Sequence, residues 1–333
     1  MLFSENLILE NGTVRISWDL AGGGLVDFQR KDLPLNPFTW EEKSPAPAHF
    51  KGHFLCLDRW GAPSEAELKA GMQYHGEAPH VMWKQTARNG AAGEMTAQLP
   101  MAHLSVKRTI RLDGPSALVI EAVTNESPIG RVYNMVQHPT IGPPFLDETV
   151  VVDANARQGF MQSSPMPNPE YPTVVWPQAL KDGMPVSLRF LKDDPMPNVV
   201  SYVIDDEYGW VTALHPGKRL VLGYVWKTAE YPWLNIWRDV QNGKPFARGL
   251  EFGTTGLHQP YPVLARKGRM FGRSLFGFFD ANETHTRSYQ VFLATLPATA
   301  SGIEQLRRTG SGEWELATRE GQKVRVKDLL GAQ

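Results

Sequence analysis

The sequence holds a single cysteine, Cys56, in 333 residues. That excludes an internal disulfide framework and any zinc or iron–sulfur site built on several thiolates. No apolar run approaches the ~20 residues that a helix needs to cross a bilayer. There is no excess of charge either: 34 basic residues face 35 acidic ones, for a net charge of −1. This argues against a nucleic-acid or anionic-membrane surface made by bulk charge. The first ten residues include Glu5 and Glu10 and no basic stretch, so they do not read as a secretory signal, and the expected location is cytoplasmic. No GxGxxG opening a helix, no P-loop and no GxSxG elbow is found. The triplet Gly22-Gly23-Gly24 follows a strand pattern, but no phosphate-binding helix follows it.

Turn residues are plentiful instead. The 30 glycines and 26 prolines are spread along the chain, which reads as many turns between short elements. The commonest local pattern alternates with period two. Residues 105–113 place Val106, Ile110 and Leu112 on one face and Lys107, Thr109 and Arg111 on the other, with Arg108 on the apolar side. Residues 117–125 read as the partner strand, with Leu118, Ile120 and Ala122 inward and Glu121 outward. Asp113-Gly114-Pro115-Ser116 supplies the turn of a hairpin. Further strands are expected at 13–20, 199–204, 209–214, 219–226, 289–296 and 322–327. Helical signals are few: 64–70 opens on the N-cap Ser64 with Glu67 three residues on, and 302–308 reads as a second short helix. The fold class is therefore all-β, a large antiparallel sandwich or barrel with few short helices. The proline-rich stretch 161–177 reads as a long loop rather than a hinge, because strand patterning resumes on both sides. Residues 1–333 are accordingly expected to form one domain.

Chemistry can be sought in the histidines first. His138 precedes Pro139, which restricts it to extended backbone at a strand end, where an imidazole can be aimed at a ligand. A histidine hydrogen-bonded in a loop is the plainer reading. His75, Glu77 and His80, with His53 and Asp58 nearby, invite a metal reading, but Gly76 and Pro79 break any helical ligand spacing. Glu251, set among Gly249, Leu250, Phe252 and Gly253, suits a constricted and partly buried position where a carboxyl can act as a base. An edge-strand glutamate facing water is the alternative. Trp60, Trp83, Trp226, Trp233 and Trp237 lie near these polar motifs, where aromatic faces could cover a sugar ring, although core packing accounts for such residues equally well. Cys56 reads as a small buried core residue before it reads as a nucleophile.

Taken in order, these segments resemble the aldose 1-epimerase (galactose mutarotase-like) family. Residues 11–31 (NGTVRISWDLAGGGLVDFQRK) resemble its first strands and glycine turn. Residues 52–60 (GHFLCLDRW) lie where the family has a pocket arginine, here Arg59. His75-Gly76 followed by Trp83 is similar to the family's HG…W motif. The 108–125 hairpin followed by His138-Pro139 matches its strand-end catalytic histidine. Glu251 in GLEFG is similar to its late catalytic glutamate, and residues 281–284 to its Pro-Gly-Glu turn. The likeness spans roughly residues 9–297. It departs at Glu77, where many members have glycine, and after Glu251, where the usual polar partner is missing. The aspartate that grips sugar hydroxyls could be Asp205, Asp206 or Asp239.

The resemblance implies a galactose mutarotase-like sandwich that interconverts the anomers of an aldose or aldose derivative. Glu251 would be the general base and His138 the general acid, with His75, Arg59 and Trp237 binding the sugar. No metal and no other cofactor is implied. The expected partner is a small-molecule carbohydrate, with no nucleic acid and no membrane; the oligomeric state is left open. Two other classes stay in view: a non-catalytic carbohydrate-binding protein on the same fold, and a metal-dependent sugar isomerase or lyase using His53, His75, Glu77 and His80. Glu251 and His138 facing each other across a sugar-sized space would favour the epimerase. A sugar phosphate would call for cations at the rim, for which Arg59, Arg238 and Arg248 are the candidates.

Overall fold

The hairpin read at residues 105–125 forms as expected. In the computed structural model, which describes residues 6–42, 50–191 and 199–332, Leu104–Asp113 and Ser116–Asn125 pair antiparallel along their whole length. Val106, Ile110, Val119 and Val123 enter the main core. The facing of the second strand is the reverse of the expectation. Glu121 is fully buried with Val119 and Val123, while Leu118 and Ile120 pack on the opposite side. Arg108 is the cause. Its Nε donates to Glu121 Oε1 at 2.7 Å, so the two charges enter the core as a pair.

Two large antiparallel sheets carry the fold. The first runs in the order Asn6–Glu10, Val14–Asp19, Leu25–Arg30, His53–Asp58, Arg131–Ile141, Lys244–Gly253, Trp233–Gln241, Val200–Ile204, Ala156–Met161 and Val174–Val175, with Gly277–Phe279 added to one end of Arg131–Ile141. The second runs Val151–Ala154, Tyr208–His215, Leu220–Lys227, Thr284–Thr295, Ser116–Asn125, Leu104–Asp113, Ala92–Leu99 and Lys84–Asn89. Apolar residues from both sheets, such as Leu55, Leu57 and Phe252 from the first and Val106, Tyr224 and Val291 from the second, form one core. The proline-rich segment joins Ala156–Met161 to Val174–Val175, which pair with each other, so it is a loop and not a hinge.

A small third sheet, Ile303–Arg308, Glu313–Thr318 and Lys323–Lys327, covers the outer side of the second sheet. Ile303, Leu306, Trp314 and Val326 pack there against Leu118, Val221 and Phe292. The helix expected at 302–308 is therefore a strand. Its register shifts between Ile303 and Gln305, and the extra residue puts Ile303 and Leu306 on one face, so a spacing of three imitated a helix. The helix expected at 64–70 is present as Glu65–Lys69, with Ser64 and Glu67 in a reciprocal capping box. A second helix, Tyr261–Lys267, follows Pro260. No helix among the described residues is long and apolar enough to cross a membrane.

Candidate active site

Pleat alternation gives the first sheet two different faces. In His53–Asp58, Leu55 and Leu57 enter the core while Phe54 and Cys56 face away. In Arg131–Ile141, Tyr133, Met135 and Ile141 face the core and Val136 faces away, with His138. In Lys244–Gly253, Leu250 and Phe252 face the core and Glu251 faces away. Phe54 stands opposite His138, and Glu251 opposite Asn235. Gly249↔Thr140 and Phe252↔Gln137 bracket the remaining pair, so His138 and Glu251 are neighbours across strands. Four adjacent strands thus contribute one transverse row: Phe54, His138, Glu251, Asn235.

Phe54, His138 and Glu251 of this row floor a cavity of about 420 Å³, within the ~300–1,000 Å³ usual for small-molecule sites. His138 Nε2 lies 3.2 Å from Glu251 Oε1. Trp60 Nε1 donates to Glu251 Oε2 at 2.7 Å. His138 Nδ1 meets Thr140 Oγ1 at 2.9 Å, and the imidazole stacks on Phe54 with ring centres 4.2 Å apart. Burial disfavours both charged forms. It holds the Glu251 carboxyl well above its ordinary range, only partly offset by the Trp60 N–H, and pulls His138 down to about 3. At Gly249, facing Trp237 across the strands, a Cβ would stand 2.9 Å from Glu251 Oε1 and 3.2 Å from Trp237 Cβ, so only glycine leaves both in place.

His75 reaches the cavity from a sharp turn, with positive φ at both His75 and Gly76. A Cβ on Gly76 would fall 1.9 Å from Leu57 O, which explains the His-Gly pairing in physical terms. His75 N donates to Gly61 O, and Gly61 N donates to His75 Nδ1, both at 3.0 Å. Nδ1 is thereby fixed as an acceptor, and Nε2 carries the hydrogen. Burial also depresses the basicity of His75.

The structure brings together Glu251, His138, His75 and Trp237, all of which line the cavity. Arg59 does not join them, and its expected place is corrected. The positive φ of Asp58 ends the strand, and the Arg59 guanidinium meets Asp58 Oδ2 at 2.7 Å and Glu67 Oε1 at 2.9 Å beside a different cavity. Arg238 and Arg248 reach the carbonyls of Leu191 and Leu188, on the opposite side of their strands from Trp237 and Glu251. Of the three aspartates left open, Asp239 lines the cavity; Asp205 pairs with Arg273 and Asp206 with Arg157 elsewhere. Among the tryptophans, Trp60 and Trp237 line the cavity, while Trp83, Trp226 and Trp233 are core. Cys56 is fully buried.

The metal reading does not assemble. His53 bonds Gln137 and Tyr224 in the core, Glu77 accepts from the backbone N–H groups of Met101 and Ala102, and His80 Nε2 bonds Tyr74 O. Among the described residues no three His, Cys, Asp or Glu side chains are grouped to hold a metal ion.

Sequence reasoning missed Trp40, Phe50, Tyr74 and His258. His258 packs on Trp60 at 4.6 Å, lies 3.4 Å from Tyr74 OH, and is pulled down to about 4 by burial. Its loop carries no motif; proximity to Glu251 in sequence is its only sign.

No family model matches the sequence, and no curated protein is significantly similar to it. Solved structures do match. The Slr1438 protein of Synechocystis sp. PCC 6803 superposes with a TM-score of 0.64 at 12% identity, covering 88% of this chain and 96% of that one. A galactose mutarotase related enzyme from Lactobacillus acidophilus gives 0.64 at 10%, covering 87% and 98%. A galactose mutarotase-like protein from Lactobacillus casei gives 0.63 at 15%, covering 87% and 100%. The chain therefore has the galactose mutarotase-like fold, and the resemblance read from its ordered motifs holds at the level of fold with strongly divergent sequence.

Proposed function

We propose that the protein is a carbohydrate mutarotase that interconverts the anomers of an aldose through Glu251 and His138. The observation that carries this reading is their contact at 3.2 Å on the floor of an aromatic cavity. The two do not face each other across a sugar-sized space, as expected of an epimerase, but touch side by side on adjacent strands. The anomeric oxygen and the ring oxygen are both bonded to C1, so an acid and a base in contact with each other can serve both from one side.

The pair shares one transferable proton. As carboxylate and imidazolium, Glu251 takes the proton of the anomeric hydroxyl while His138 delivers its own to the ring oxygen. The C1–O5 bond breaks, leaving an aldehyde and a free hydroxyl. The pair is now carboxylic acid and neutral imidazole, the arrangement that burial favours. After rotation about C1–C2, His138 removes the hydroxyl proton, the ring closes, and Glu251 returns a proton to the anomeric oxygen. Both arrangements have zero net charge, which suits a water-poor floor. In the neutral form Nε2 accepts from the carboxyl and Nδ1–H donates to Thr140 Oγ1. The N–H at His75 Nε2 is available to a sugar hydroxyl, and the Trp237 ring to a ring face.

Glu251→Gln keeps the shape but cannot accept the proton. We expect anomer interconversion, followed by polarimetry on freshly dissolved aldoses, to fall by ~10²–10⁴-fold with sugar binding retained. Near-wild-type interconversion by this variant overturns the assignment. Sugar binding without interconversion in the wild type leaves a carbohydrate-binding protein instead.

A further inference from the structure

We propose that the sugar bound in this cavity carries a protonated amino group. The inference rests on the mutarotase reading and concerns the charge of its substrate. Three carboxyl groups line the cavity, Glu42, Asp239 and Glu251, and no lysine or arginine does so among the described residues. Glu251 is occupied by His138 and Trp60. Asp239 accepts a hydrogen bond from the Gln241 amide at 3.0 Å, and among the described residues neither it nor Glu42 has a cationic partner. Glu42 is solvent-exposed and Asp239 half-buried; partial desolvation raises the Glu42 carboxyl, so a nearby positive charge would relieve it.

Both acids are tied to tryptophans. Trp40 and Glu42 stand two residues apart, as do Trp237 and Asp239 on the cavity face of one strand, and all four line the wall. The two indoles meet edge to face, with centres 5.7 Å apart and planes at 77°. They form a corner of two ring systems with a carboxylate beside each. An ammonium group is favoured by aromatic faces and by nearby carboxylates together. A phosphate or uronate would meet only negative charge there. The three arginines that could have received such an anion all lie outside the cavity lining. The Trp237 and His138 rings are 6.1 Å apart, so this corner adjoins the reacting pair. One sugar ring can engage both.

The test is isothermal titration of the wild-type protein at pH 6.5 with glucosamine, galactosamine and mannosamine, each against its neutral parent, and with glucose 6-phosphate. We expect at least one amino sugar to bind about ten-fold tighter than its parent, and the phosphate not to bind. The preference should vanish at pH 9, where the amine is neutral, and shrink in Asp239→Asn and Glu42→Gln. If no amino sugar outbinds its parent at pH 6.5 while neutral sugars bind and mutarotate, the amino-sugar inference is overturned and the mutarotase reading stands. Tighter binding that persists unchanged at pH 9 overturns it as well. Absence of binding and interconversion for every sugar overturns both. The pH 9 arm needs no variant, so a misfolded mutant cannot leave the question open.

Discussion

The strand Arg131–Ile141 separates two buried polar clusters, one on each face. On the core face Gln137 bridges Glu121 at 2.5 Å and His53 at 3.1 Å. Glu121 is held by Arg108, whose guanidinium also lies 4.5 Å over the Trp83 ring. His53 is closed off by Tyr224 OH at 2.9 Å. One residue further along, His138 meets Glu251 on the other face. Each cluster contains a buried glutamate and a buried histidine. The core glutamate has a permanent cation and sits with no opening beside it. The site glutamate has only a histidine and an indole N–H, and a cavity lies over it. The first arrangement spends its polarity on fixing the register of two sheets. The second leaves a proton free to move.

This contrast can be broken by giving both glutamates the same substitution. Glu121→Gln leaves Arg108 buried without its counter-charge, and we expect a loss of ~3–5 kcal/mol in stability, read by urea denaturation. Glu251→Gln is expected to act in the opposite direction. Its carboxyl is held above the ordinary value of 4.5, so above that pH the unfolded chain releases a proton that the native chain keeps. Native stability therefore falls as pH rises through the window. Glutamine removes this loss. Thermal melts should show the variant more stable than wild type at pH 8, with the difference shrinking toward pH 4.5. A destabilised Glu251→Gln at pH 8 would place the two clusters in one class.

The next effect is smaller. Thr140→Val removes the Nδ1 partner of His138, and we expect kcat to fall about ten-fold with KM nearly constant, equivalent to ~1.4 kcal/mol. Proportional losses in kcat and stability would make Thr140 merely structural. The smallest effect concerns acid stability. His258 has an ordinary value of 6.5 and a folded value of about 4. As pH falls through that window the unfolded chain takes up a proton that the native chain refuses, so stability declines. His75 and His138 push in the same direction. His258→Asn should therefore make the decline between pH 6.5 and 4 shallower without abolishing it.

Much of this architecture could be read from local pattern. Period-two alternation located the hairpin at 105–125 and the central strands of the second sheet, but it did not mark His53–Asp58, Trp233–Gln241 or Lys244–Gly253, which carry the site; the capping box located the one expected helix that exists. His138 before Pro139 and Glu251 between glycines were legible because constrained backbone leaves a mark in sequence. What failed was whatever depended on a partner far away. Glu121 looked solvent-facing because nothing local reveals that Arg108 will be buried beside it. The bulge at Ile303 and Gln305 gave a strand the spacing of a helix. Arg59 adjoins site residues in sequence, but the left-handed turn at Asp58 sends it to another cavity. His258 and Trp40 come from irregular segments that only the assembled fold brings to the cavity.

The transverse row has a consequence for how the protein can lose activity. Each of its members alternates along its own strand with a residue on the core face, such as Leu55, Gln137, Leu250 and Leu234. Sliding Lys244–Gly253 by a single position would point Leu250 or Phe252 into the cavity and drive Glu251 among hydrocarbons, and a slip of Arg131–Ile141 would take His138 off the cavity face. Catalytic competence is thus expected to disappear in the same cooperative step as tryptophan fluorescence and backbone structure, with no half-folded species that still turns over sugar.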